Sequence, residues 1–196
     1  MSVMIADGKM LAAAALLVVT CANGCVGDAG PTAPVDHRNA EFQIEDRRVT
    51  LVDGRAERPA APGSAALVVT RVFGNETRRD LNGDGRDDVV FVLTQETGGS
   101  GLFYYVVAAL AGVDHYVGSR ALLLGDRIAP QTIEIDPNGI ITVNYADRAP
   151  GESFATPPSV GKSIRLKLDP ESLQSPSSKP NEIVLPALPS WYRYSA

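Results

Sequence analysis

Past residue 41 the chain is a succession of short apolar runs separated by turn residues. β-Branched and apolar side chains gather at 42–44 and 49–52, the latter ahead of an Asp53-Gly54 turn, and again at 67–73, 89–93, 102–110 and 121–124. Residues 132–135 and 140–145 flank Asp136-Pro137-Asn138-Gly139, and residues 164–168 alternate apolar and polar side chains. Side chains point to opposite faces along a strand, so strict alternation marks a strand with one buried face. Val89-Val90-Phe91-Val92-Leu93 has no polar position and reads as a strand buried within a sheet, with packing on both sides. The Asp-Pro-Asn-Gly string makes the clearest hairpin turn in the chain. No long stretch carries the 3.6-residue period of an amphipathic helix. The pattern predicts an all-β domain over residues 41–169, a single compact antiparallel sandwich or open barrel with a hairpin built on residues 80–93.

The two ends read differently. Met10 to Thr20 is an apolar run of 11 residues behind Lys9, too short for the roughly 20 residues of a membrane-spanning helix. Residues 1–24 are expected to be an export signal, although Asp7 departs from the positive start such signals have. Residues 25–40 are rich in Gly, Pro, Ala, Asp and Thr and read as a flexible tether in which His37 is solvated. Beyond Asp169, Pro176, Pro180, Pro186 and Pro189 block helix and central strand, so 170–196 is a tail. It carries Ile183-Val184-Leu185 and Trp191-Tyr192-Arg193-Tyr194 with the one tryptophan. These suit a last strand or plug on the domain better than an exposed docking peptide.

Composition narrows the classes. At 196 residues, 44% hydrophobic and 21% charged, there is core material for one domain with appendages. The net charge of −5 and the scattered Lys and Arg offer no basic patch for nucleic acid. Both cysteines, Cys21 and Cys25, lie at the end of the leader, which excludes a disulfide scaffold or cysteine-ligated zinc within the domain.

The densest chemistry is D-L-N-G-D-G-R-D-D at 80–88. A calcium loop needs side-chain oxygens at alternate positions 1, 3 and 5, a turn-forming glycine at 6 and a backbone carbonyl at 7. Asp80, Asn82, Asp84, Gly85 and Arg86 supply that frame, and Asp88 adds an oxygen at position 9. Position 12 is Phe91, where an EF-hand places a bidentate glutamate, so the loop joins strands and not helices. The expected ion is Ca2+, a structural staple bound by Asp80, Asn82, Asp84, the Arg86 carbonyl and Asp88. The alternative is a metal-free Asx turn, which the same residues can build from side-chain to backbone hydrogen bonds. Against it, carboxylate pairs about 5 Å apart repel by roughly 1–3 kcal/mol, a term a divalent cation reverses.

D-L-N-G-D-G-R-D-D-V resembles the calcium loop of FG-GAP and VCBS-type β repeats, over those ten residues. Residues 94–101, 124–128 and 144–148 resemble a group of small bacterial lipoproteins, which brings no established activity with it. The β-propeller known for the loop's relatives needs at least four blades of four strands. Roughly 130 residues cannot hold sixteen strands of about 5–6 residues plus turns. Ala22-Asn23-Gly24-Cys25 resembles a lipobox, which implies that Cys25 is acylated and becomes the mature N-terminus. Cys21 follows Thr20 where a small residue is wanted, and an ordinary secreted protein cut nearby is the alternative. The same lipoprotein resemblance implies the outer membrane facing the periplasm, since Val26 stands in place of the aspartate linked to inner-membrane retention.

Partners follow from this address: the membrane through the N-terminal lipid, and an envelope protein or glycan. No G-x-S-x-G elbow occurs, and the histidine outside the tether, His115 in Val113-Asp114-His115-Tyr116, reads as polar surface. Asp126-Arg127 and Asp147-Arg148 are candidates for an acidic and guanidinium cluster at one sheet end. The expected role is non-enzymatic binding or structural support in the cell envelope. The rivals are an envelope hydrolase using His115 with surface carboxylates, and an inhibitor of a lysozyme-like hydrolase.

Overall fold

The computed structural model describes residues 35–168 and 183–184, all in the second of two compact units, Pro34–Ala196. The leader, Cys25 with the tether before residue 35, and most of the tail including Trp191 lie outside the described residues. A 3-10 turn at His37–Asn39 leads into strands β1 (Glu41–Ile44), β2 (Arg47–Thr50), β3 (Arg55–Pro59), β4 (Leu67–Arg79), β5 (Asp88–Glu96) and β6 (Leu102–Ala111). Then come β7 (Tyr116–Gly118), β8 (Leu122–Asp126), β9 (Ala129–Ile135), β10 (Ile140–Asp147), β11 (Val160–Leu168) and β12 (Ile183–Val184). The protein is all-β.

Its strands form three sheets: the β1-β2 hairpin, a central sheet ordered β3-β4-β5-β6-β7 with β8 also on β6, and a sheet ordered β12-β11-β10-β9. The strand pairings are antiparallel, and no closed barrel forms among the described residues. The apolar pattern explains the stacking. On one face of β5 and β6, Val89, Phe91, Leu93, Tyr105, Val107 and Ala109 pack with Phe42, Ile44 and Val49 of the hairpin and with Leu51 just after it. On the other, Val90, Val92, Val106, Ala108 and Leu110 pack with Ile133, Ile141, Val143, Leu166 and Leu168 of the third sheet. Residues 89–93 are therefore 0% exposed on both faces, and each such side chain contributes about 1.5–3 kcal/mol of burial. The sandwich thus carries a third layer, the β1-β2 hairpin.

The hairpin approaches the central sheet closely where it passes β7. A Cβ at Gly118 would run into the Glu41 carbonyl oxygen and stand 2.6 Å from the Phe42 ring. The turn sequence 136–139 does connect β9 to β10, with Asp136 Oδ1 accepting from Asn138 and Ile140 N–H at 2.8 and 2.9 Å. In the tail, Ile183 and Val184 pair with Leu168 and Lys167 as a last strand on β11.

Three features depart from the sequence pattern. β4 runs for 13 residues, well past Phe73. Its ladder is bulged between Val72 and Thr77, with Gly74 at φ 125° and Asn75 at φ 55°. The polar half is used for joining sheets: Asn75 Nδ2 and Thr77 Oγ1 donate to the Gln131 and Ile133 carbonyls of β9 at 2.8 and 2.7 Å. Strands β3 and β7 are polar or short enough to carry no apolar signal. His37 is the clearest correction. Expected to be solvated in a tether, it is 4% exposed and sits edge-on to Phe91 at 5.0 Å and Tyr116 at 5.9 Å. Asp36 caps its turn by accepting from Arg38 N–H at 2.9 Å, and Asn39 Oδ1 accepts from Asp53 N–H at 2.8 Å, so the packed domain begins before residue 41.

Candidate metal centre

The loop between β4 and β5 folds around its own acidic side chains. Asp80 accepts from Gly83 N–H at 2.7 Å with one oxygen and from Gly85 N–H at 2.9 Å with the other. Asn82 Oδ1 accepts from Asp84 N–H at 3.0 Å, and Asp84 Oδ1 from Arg86 N–H at 2.9 Å. The winding requires Gly83 and Gly85 at φ 81° and 83°, a left-handed conformation that a side chain makes costly. Asp88 closes the loop: its two oxygens accept from Leu81 N–H and Ala111 N–H, each at 2.9 Å. The residue itself is 0% exposed. Arg86 turns its guanidinium back into the loop, donating to Asp84 Oδ2 at 2.6 Å and to the Ala111 carbonyl at 2.7 Å.

These contacts set the charges. The Gly85 N–H, with help from Gly83, holds the Asp80 carboxyl below its usual value despite some desolvation. The Arg86 N–H does the same for Asp84, with the Asn82 side chain and the Arg86 guanidinium assisting. Asp88 is pushed up, first by burial and further by the negative charges of Asp84 and Asp80, against the pull of the two N–H donors. The loop thus gathers like charge around a buried carboxylate.

The donors fit calcium by their chemistry. Asp80, Asn82, Asp84, Asp88 and the Arg86 carbonyl offer only hard oxygens, and a carboxylate oxygen that accepts one N–H keeps a further lone pair. The loop's hydrogen bonds are equally those of an Asx turn. Among the described residues no group of three or more His, Cys, Asp and Glu side chains is gathered as a metal site. Asp88 is turned to main-chain donors, and two of the five candidate ligands are an amide and a carbonyl.

The remaining candidates separate. His115 lies in the loop between β6 and β7, 68% exposed, with Nδ1 2.6 Å from Asp114 Oδ1, as polar surface would be. The Asp126-Arg127 and Asp147-Arg148 strings do come together: Arg148 donates to the Arg127 carbonyl at 2.8 Å, and Asp126 pairs with Arg127 at 3.0 Å. Asp126 also accepts from Leu102 N–H, Asp147 pairs with Lys162 at 2.8 Å, and Phe154 lies under Arg127 at 4.0 Å. Its ions are paired internally, as loop ends that fasten β10 and β11 would be.

Sequence reading missed the cluster at His37, whose Nδ1 and Nε2 each stand 3.2 Å from a carboxylate, Asp36 and Glu76. Asp36, which caps the turn at its N-terminal end, was the available signal. Comparison with protein-family models, curated proteins and solved structures finds no match.

Proposed function

We propose that this chain is a lipid-anchored protein of the bacterial cell envelope that acts by binding or structural support, with a calcium loop as the staple of its central sheet. The observation that carries this reading is the position of residues 80–88. They run directly into β5, which together with β6 is buried on both faces, and Asp88 bonds the loop to the ends of both β5 and β6. A slip of one residue would exchange the faces of Val90 and Phe91 and disturb both cores. An ion drawn to Asp80, Asn82 and Asp84 would fix that turn and offset the repulsion around Asp88. Anchoring rests on the lipobox-like Ala22-Asn23-Gly24-Cys25, and partners are then the membrane and an envelope protein or glycan.

Thermal melting of the wild type and Asp84→Ala in millimolar calcium and in excess chelator tests the staple. At about 1 mM calcium and a dissociation constant of about 10⁻⁴–10⁻³ M, binding should add about 0.4–1.4 kcal/mol to the wild type, and Asp84→Ala should lose most of it. Extracellular modules bind calcium at about 10⁻⁴–10⁻³ M, and magnesium should substitute poorly. A wild-type curve that does not move would leave a metal-free Asx turn. Labelling with a palmitate analogue tests the anchor: label should vanish in Cys25→Ser and persist in Cys21→Ser.

A further inference from the structure

The edge of the central sheet holds a notch unlike the rest of the surface. β3 begins at Arg55, opposite Arg71, while β4 runs on through its bulge without a β3 partner. The gap is a cavity of about 300 Å³ whose lining includes Arg38, Arg55, Arg71, Phe73, Gly74 and Glu76. That is the lower end of the roughly 300–1,000 Å³ found for small-ligand sites. Nothing fills it from Gly74, where an added Cβ would meet no atom within 4 Å.

Its lining sets three guanidinium groups, Arg38, Arg55 and Arg71, against two carboxylates, Asp53 and Glu76. Arg55 and Arg71 are directly opposite on the ladder, a like-charge arrangement that costs stability. Each is turned along its own strand pair to a carboxylate outside the lining, Arg55 to Glu57 and Arg71 to Glu96. Arg38 shares Glu76 with two other donors: His37 at 3.2 Å, Arg38 at 3.4 Å and Arg78 at 3.8 Å all point to that one carboxylate. The arginine side chains are 42–51% exposed, so these pairs are weak and exchangeable. A guanidinium fork takes a carboxylate or phosphate through two parallel N–H bonds and gives up little to do so. On the same rim Phe73 is 47% exposed. It meets Tyr104 edge-on at 5.3 Å and presents an apolar face beside the cations.

We propose that this notch binds the acidic end of a saccharide, a sugar whose carboxylate is taken by Arg55 and Arg71 while its ring lies against Phe73. Arg38 closes the far side and Glu76 accepts from a sugar hydroxyl. A bare anion would use the arginines and leave Phe73 idle, and a neutral sugar would use Phe73 and leave the guanidinium forks on their exposed surface pairs. The notch is separate from residues 80–88 and needs neither an ion there nor an acyl chain.

Amide chemical-shift titration of the full chain tests this, run in chelator so that the calcium loop plays no part. The probes are a disaccharide ending in glucuronic acid, its neutral glucose counterpart, and inorganic phosphate. The acidic disaccharide should shift Gly54 and Gly74 saturably, with a dissociation constant near 1 mM or tighter, at least tenfold tighter than either other probe. Arg55→Lys and Arg71→Lys keep the charge but lose the fork, and each should weaken binding about fivefold. Phe73→Leu should bring the disaccharide close to phosphate. No shift at these amides, equal binding of acidic and neutral disaccharides, or phosphate binding as tightly as the disaccharide would each overturn the proposal. The comparison of the three probes on the wild type decides it even if a variant fails to fold.

Discussion

Asp88 accepts the Ala111 N–H at 2.9 Å, which fastens the first residue of β5 to the last residue of β6. Its other oxygen takes Leu81 N–H, so one buried carboxylate locks both the hairpin end and the loop before it. Both bonds go to main-chain N–H groups. Asp88→Asn keeps the size of the side chain but leaves it one acceptor oxygen, so one of the two N–H groups loses its partner. The cost should be about 1–3 kcal/mol. Denaturant unfolding in excess chelator measures it, and an unchanged midpoint would remove the lock from this account.

Arg86 is itself a cation turned toward the proposed ligands. Its guanidinium holds Asp84 Oδ2 and the Ala111 carbonyl, and an ion on Asp84 must compete with it. With Arg86→Gln, calcium should bind about 1.5- to 5-fold more tightly, the range that corresponds to an exposed ion pair of roughly 0.2–1 kcal/mol. The chelated variant should be less stable than the chelated wild type. Calcium titration followed by calorimetry reads the first effect, and melting in chelator the second. Equal or weaker binding by the variant would show that Arg86 does not oppose the ion.

Much of the fold was legible because burial writes itself into the apolar pattern. Residues 89–93 announced a doubly covered strand, and the Asp-Pro-Asn-Gly turn fixed the β9-β10 hairpin. The second half of β4 was hidden because Asn75 and Thr77 hold the next sheet through side-chain hydrogen bonds, which leave no hydrophobic trace. His37 was hidden because it packs as a single ring ahead of the first strand, with no period around it. In the candidate metal loop the oxygen spacing was legible, but the inward turn of Asp88 was not. An aspartate at that position reads the same whether it faces an ion or two main-chain donors. The arginine notch depends on Arg55 meeting Arg71 across strands, a register that no local string carries.

The contact at Gly118 makes a sharper test of the hairpin layer. Its main chain adopts no special φ, so the requirement for glycine comes from space alone: Glu41 O and the Phe42 ring occupy the place of a Cβ. Gly118→Ala should push β1 off β7 and cost about 1–3 kcal/mol, as overpacking does. Hydrogen exchange should show the loss concentrated in residues 40–51. A variant as stable as the wild type would mean the hairpin is free to move outward.

The hairpin is also tied by a titratable group. Tyr105 donates its hydroxyl to Glu45 Oε1 at 3.3 Å, and Glu45 sits at φ 54° between β1 and β2. Burial, then the Glu45 charge and that hydrogen bond, push the Tyr105 hydroxyl from 10.0 up to about 12. A raised folded value means that the neutral phenol is favoured in the folded state. Its contribution is therefore complete below pH 10 and is lost as pH rises through about 12. Tyr105→Phe cannot ionise and gives up the hydrogen bond, so it should be less stable at pH 7 by about 1–2 kcal/mol. Between pH 10 and 12 the wild type should lose stability faster than the variant, and the two curves should converge. Parallel curves across that interval would show that Tyr105 ionises like an exposed phenol and does not hold Glu45.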